Sequence, residues 1–245
     1  FLDDTVDIIE EMPANVVRRI LNQSDPATRK AINEILQYPE DSAGSLMTIE
    51  YVWLRKNMTV ADAFARIRKT GVDKETIYTC YVTDNKSKLI GIVTAKTLML
   101  NDPGTVLKDI MIDNVIYCHT SDDKEEVARL INKYGFLALP VVDNEERLVG
   151  IVTVDDAMDV MQAENTEDIE KIHAIVPSDK PYLKTGVISI FLHRLPWLLI
   201  LMISATFTGL ILNNYEEHLS ALGGSLLIAC VPMLMDTGGN AGSQA

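Results

Sequence analysis

Eleven carboxylates lie in the 37 residues from Asp143 to Asp179: Asp143, Glu145, Glu146, Asp155, Asp156, Asp159, Glu164, Glu167, Asp168, Glu170 and Asp179, opposed only by Arg147 and Lys171. This stretch therefore holds a net nine of the thirteen negative charges that 35 Asp+Glu and 22 Lys+Arg leave on the 245-residue chain. Most of it reads as one helix, from about Asp155 through His173. Asp155/Asp159 and Glu164/Asp168 are four apart; Asp156/Asp159 and Glu164/Glu167 are three apart. At these spacings like charges are helix neighbours and repel, by about 0.2–0.5 kcal/mol a pair. Carboxylate oxygens converging across a helix or subunit boundary suit a hard divalent cation, Mg²⁺ or Ca²⁺. A bound cation would draw such helices together, and repulsion would part them without it, which is the minimum for a switch. A plain solvated acidic face has the same pattern.

Other chemistries find less support. There is no GxSxG, no HExxH and no phosphate-cradling loop, and His119, His173, His193 and His218 form no close set, which argues against an enzyme. A pI near 4.7 argues against nucleic acid as a partner, because phosphate binding needs a basic surface. Cys80, Cys118 and Cys230 are odd in number, far apart and without CxxC spacing, so they read as reduced, small apolar residues. Near the C-terminus, Gly238, Gly239 and Gly242 alternate with Asn240 and Gln244. Small residues let membrane helices approach closely, and amide oxygens at that depth line a path or a packed interface. Gly239, Asn240 and Gln244 are the pore candidates; a polar loop leaving the membrane is the alternative.

The elements that must position these groups are written in the hydropathy. Leu195–Leu212 and Leu219–Met235 contain no charged residue. The first run spans about 27 Å as a helix, close to the hydrocarbon core of a bilayer. Lys180, Lys184 and Arg194 precede it, and no Lys or Arg lies between the two runs. By the positive-inside rule, everything before Leu195 is cytoplasmic, with a multi-pass segment in the plasma membrane after it. Two membrane helices are too few to line most pathways, so the chain is expected to be part of a longer membrane protein.

Residues 1–40 look helical, with Asp25-Pro26 as a helix start. From Leu46 the chain repeats itself. Leu46-Met47-Thr48 is answered by Ile110-Met111-Ile112, and Leu89-Ile90-Gly91-Ile92-Val93-Thr94 by Leu148-Val149-Gly150-Ile151-Val152-Thr153. Each copy carries an Asp-Asn turn, Asp84-Asn85 or Asp143-Asn144, between two strands. Each also has an amphipathic helix. Thr59 with Asp62 and Asp122 with Glu125 fit the capping-box spacing, and Gly71 and Gly135 stop the helices.

A helix, a hairpin ending Gly-Ile-Val-Thr, a second helix and a copy of the whole resemble the CBS (cystathionine β-synthase) domain over about residues 44–162. Such tandem pairs are regulatory and bind adenosyl nucleotides or metal ions. The family's ribose-holding Asp falls on Asp156 in the second copy, whereas the first copy has Thr97 there, so at most one nucleotide site looks intact. A helix N-terminal acid is the bland reading of Asp156.

The wider order also resembles a known family. Val152-Thr153-Val154-Asp155-Asp156-Ala157-Met158-Asp159, Glu164-Asn165-Thr166-Glu167-Asp168-Ile169, Arg194-Leu195-Pro196-Trp197 and Gly238 to Gln244 look like the MgtE family of magnesium transporters and channels. That resemblance implies a homodimer with five membrane helices per subunit. Its cytoplasmic domains bind Mg²⁺ to close the pore, and the connecting helix acts as a plug. By position the sensing acids are Asp156, Asp159, Glu164, Glu167 and Asp168, with Asp123 and Glu125 in the second repeat and Asp4 in the helical segment. ATP is a further candidate ligand.

The expected fold class is multi-domain: an all-α N-terminal segment, an α/β tandem CBS pair and α-helical transmembrane segments. The expected divisions are a helical N-domain remnant (1–43), the first CBS domain (44–108), the second (109–162), an acidic connecting helix (163–194) and the first two transmembrane helices (195–245). The expected function is the Mg²⁺-sensing and partial membrane portion of a Mg²⁺ channel. The rival is a nucleotide-sensing CBS regulator of another transporter.

Overall fold

The computed structural model describes residues 41–173, 186–215 and 224–244, together with 26–39, 175–176 and eight earlier positions: Ile8, Ile9, Met12, Pro13, Val16, Val17, Arg19 and Ile20. These form two compact units, divided between Asn165 and Thr166.

In the first unit, α1 (Pro26–Ile35) opens on the expected proline, whose fixed φ suits a first helical position. Its Ile32 and Ile35 are buried together with Ile9. Much of the rest of the expected all-α segment, Asp4 included, lies outside the described residues. A short helix α2 (Ala43–Leu46) follows.

Two matching halves come next. The first is β1 (Tyr51–Arg55), α3 (Val60–Thr70), β2 (Thr76–Thr83), β3 (Leu89–Thr94) and α4 (Ala95–Leu100). The second is β4 (Cys118–His119), α5 (Lys124–Tyr134), β5 (Ala138–Val142), β6 (Leu148–Thr153) and α6 (Val154–Ile172). Each half holds a three-stranded sheet whose first two strands are parallel and whose last two are an antiparallel hairpin. Apolar strands, buried almost throughout in β5 and β6, and an Asp at each turn explain the hairpins. Asp84 Oδ1 accepts from the N–H groups of Lys86 and Lys88 at 2.8 and 2.9 Å. Asp143 Oδ1 accepts from those of Glu145 and Arg147 at 2.9 and 2.8 Å. Both are Asx-type turns, in which the side chain replaces a backbone acceptor.

The two halves interlock through exchanged segments. Met47, which precedes β1, belongs to the core of the second half with Cys118, Val127, Leu139 and Val152. Met111 packs instead against the core of the first half, which contains Val52, Leu54, Val82 and Leu98. Backbone bonds follow the exchange: Thr48 pairs with Ile151 and Ile112 with Ile92, each through two N–H···O bonds of 2.8 to 3.0 Å. The glycine of each Gly-Ile-Val-Thr strand makes room. A Cβ on Gly150 would lie 2.5 Å from Met47 Sδ, and one on Gly91 would lie 2.9 Å from Met111 Sδ. The hairpin ends also join, since Leu89 N–H donates to Glu146 O and Leu148 N–H to Ser87 O.

The cap at Thr59 forms as expected: its hydroxyl accepts from Asp62 N–H while Asp62 accepts from Thr59 N–H. The expected cap at Asp122 is corrected. Asp123 is the N-cap of α5 and accepts from Glu125 N–H at 2.8 Å, while Asp122 accepts from His119 N–H at 2.8 Å. Gly135 ends α5 at φ 66°, a left-handed position suited to glycine. Gly71 ends α3 at φ −78° and leads into a 3₁₀ turn, so it stops that helix without left-handed geometry.

In the second unit, α7 (Val187–Asn214) covers the first apolar run and α8 (Gly224–Gln244) most of the second. Among the described residues one helix, over Val187–Ile211, is long and apolar enough to cross a membrane. The 163–194 stretch, expected as one connecting helix, is helical to Ile172 and again from Val187.

Burial pushes the thiols of Cys80 and Cys118 up to about 12. Both are neutral at pH 8, and a thiol reagent should label neither until the fold is opened. Gly150→Ala should destabilise the interlocked halves by about 1–3 kcal/mol, as overpacking does in a filled core. Urea unfolding followed by circular dichroism would check this; an unchanged midpoint would contradict the contact with Met47.

Candidate cation-sensing site

Helix α6 starts directly from β6, so its first turn is fixed by the hairpin. Thr153, the last residue of Gly-Ile-Val-Thr, donates its hydroxyl to Asp156. Thr94 occupies the same place in the first half, where its Oγ1 lies 2.9 Å from that of Thr97. The difference between the halves is thus one carboxylate at a helix N-terminus, where the dipole favours negative charge. Thr153 was not among the candidate residues; its place in the shared motif, three before the Asp, was the signal that could have found it.

The buried face of α6 carries Ala157 and Val160, which join the core of the second half. Outside that face lie the acids. Asp159 and Asp168 are exposed; Asp156, Glu164 and Glu167 are half-buried. The helix extends across the division between the units, with Glu164 before it and Glu167 and Asp168 after. Glu167 pairs with Lys171 at 2.7 Å, one turn on.

The other expected ligands stand at the start of α5. Asp123 is spent as the N-cap, and Glu125 pairs with Arg129 four residues later. Lys124, between them, reaches Asp41 at 2.7 Å. The i,i+4 spacing of Glu125–Arg129 and Glu167–Lys171 is the sequence signal for these partners. Such exposed pairs contribute only about 0.3–0.5 kcal/mol, so a divalent ion can displace them.

Asp156, Asp159, Glu164, Glu167 and Asp168 are thus brought onto one helix, and Asp123 and Glu125 onto one helix end. Among the described residues no three His, Cys, Asp or Glu side chains come together as a metal-holding group. Asp4 lies outside the described residues. The pore candidates fall within α8: Gly239 is exposed, and the Gly-Gly-Asn motif continues the helix instead of ending it.

Comparison with known proteins shows what the chain is similar to. A model of the CBS domain matches residues 43–103 and 107–163, and a model of the MgtE intracellular N domain matches residues 1–41. The chain is 44% identical over its whole length to the magnesium transporter MgtE of Thermus thermophilus. The chain belongs to the MgtE family. That transporter is covered over 54% of its length, and the one from Bacillus subtilis, 35% identical over 99% of this chain, over 53%. The chain therefore spans about half the length of these relatives. A crystal structure described as the cytosolic domain of the Mg²⁺ channel MgtE in complex with ATP shares 46% identity with a TM-score of 0.63, covering 65% of each chain. The tandem CBS fold is thereby established. Both relatives are named as magnesium transporters and not as enzymes.

The N-cap role of Asp123 gives a test of its own. Asp123→Ala should lower stability by about 1 kcal/mol, as the loss of an N-cap does, while Asp123→Asn keeps the acceptor and should change it little. Urea midpoints of the two variants would check this.

Proposed function

We propose that this chain is the cytoplasmic Mg²⁺ sensor, with the leading membrane helices, of a homodimeric Mg²⁺ channel or transporter. The observation that carries this reading is the position of α6. It begins inside the CBS pair, bears five of the expected sensing acids, and is followed in sequence by a helix able to cross a membrane. Its acids do not complete a site within one chain among the described residues. The ligand set is therefore completed by a second copy, by the N-terminal segment around Asp4, or by water, which Mg²⁺ retains readily. Mg²⁺ among these carboxylates draws the elements together and closes the pathway; without it they repel and the pathway opens. Residues before Leu195 are cytoplasmic and the remainder enters the plasma membrane, the second apolar run forming a second span. Gly239, Asn240 and Gln244 contribute to the pore.

A second reading concerns nucleotide. Asp156 is hydrogen-bonded by Thr153 at the start of α6, which presents a carboxylate for a ribose hydroxyl, and a relative's cytosolic domain was crystallised with ATP. ATP then acts on the same helix as Mg²⁺ and tunes its response.

Limited proteolysis between residues 160 and 185 should slow when Mg²⁺ is added at matched ionic strength, and equal rates would count against sensing by this segment. Glu167→Gln with Asp168→Asn should leave the fold intact and move the protection midpoint to higher Mg²⁺. An unchanged midpoint removes both residues from the ligand set.

A further inference from the structure

The acidic character of the chain does not extend to the first half, which holds more cations than acids. From Arg55 to Lys74 there are six cations, Arg55, Lys56, Arg66, Arg68, Lys69 and Lys74, against Asp62 and Asp73. Asp62 is engaged in the capping box at Thr59. Two of the cations share one aromatic ring. The guanidinium carbon of Arg66 lies 3.6 Å from the ring centroid of Trp53, and that of Arg55 lies 4.8 Å from it. Stacking on indole favours each cation singly, but two guanidinium groups on one ring repel. Burial and then the charge of Arg55 lower the pKa of Arg66 accordingly.

Nothing described offsets that repulsion. Among the described residues neither Arg55 nor Arg66 has a carboxylate partner. Nη1 of Arg55 is buried without a hydrogen-bond partner. A buried donor left unmet is costly, and native structures rarely leave one without an ion or water. The two groups are also rigidly carried. Arg55 closes β1 in register with Thr83 of β2, and Arg66 lies within α3, whose start is fixed by its capping box.

We propose that Arg55 and Arg66, held on Trp53, form a binding site for a phosphoryl oxyanion. A guanidinium offers a planar fork of N–H donors that matches phosphate oxygens. A phosphoryl group carries more charge and more acceptor oxygens than a carboxylate, so it can accept from two forks arriving from different elements. It supplies the acceptor missing at Arg55 Nη1 and cancels the repulsion across the ring. The phosphoryl group comes either free in solution or on a lipid headgroup. This site belongs to the first half and is built from none of the acids of α6.

The test uses the whole chain in uncharged detergent micelles, with Trp197→Phe leaving Trp53 as the sole indole of the two in the sequence. Inorganic phosphate and pyrophosphate are titrated against chloride at matched ionic strength in magnesium-free buffer, and a second series dopes the micelles with phosphatidic acid or an uncharged lipid. A saturable change in Trp53 emission is expected, weakened at least about tenfold by Arg66→Gln through loss of charge-assisted bonds. Arg66→Lys, which keeps the charge without the fork, should fall between. A response to the inorganic anions supports a free ligand, and a response to phosphatidic acid alone supports a headgroup. Absence of a saturable change in both series overturns the proposal, as does an equal response in Arg66→Gln that melts like the parent. Arg66 is used for the decisive variant because Arg55 closes β1 with a buried donor, so that Arg55→Gln carries a greater risk to folding.

Discussion

The interlocking of the two halves rests on the packing of a methionine over a glycine, made twice. Met47 fills the space over Gly150 and Met111 the space over Gly91, and each brings its backbone into the other half's hairpin. A side chain larger than hydrogen at either glycine would separate the strands that the exchange joins. Because each half completes the other's core, the pair is one body and not two beads on a string. The first turn of α6 grows directly from the last strand of this body.

Electrostatics then sets what α6 can do. Its buried residues are Ala157 and Val160, and beyond them the helix is half-buried or exposed and carries four carboxylates between Glu164 and Glu170. A segment held by charge more than by packing is the kind whose position an ion can change, because a few kcal/mol suffice to move a two-state equilibrium. The ion pair at Glu167–Lys171 moderates the repulsion on α6 without abolishing it. The cationic island around Trp53 has the opposite problem, excess positive charge with an unmet donor. Each region calls for a counter-charge of the opposite sign.

Much of the architecture was legible from local chemistry. The Asp-Asn turns, the capping box at Thr59, the left-handed Gly135 and the proline start of α1 are decided within a few residues, and they stand as read. The cap of α5 was misread by one residue. Asp122 and Asp123 are adjacent acids of equal capping ability, and only the turn that ties Asp122 to His119 selects between them. The acids of α6 were legible as a cluster, but not which of them had partners.

By itself, the sequence determined the repeat, the helix and strand periods, the charge asymmetry and the apolar run that became α7, because each depends on neighbours within one or two turns of chain. Only the tertiary structure decided that the leading segment of each repeat belongs to the other repeat's core, and that Arg55 and Arg66 share one indole. Those facts depend on which surfaces meet between residues more than ten positions apart in the chain. Hydrophobic burial is non-directional, so a pattern of apolar positions states that a face must be covered without stating by what.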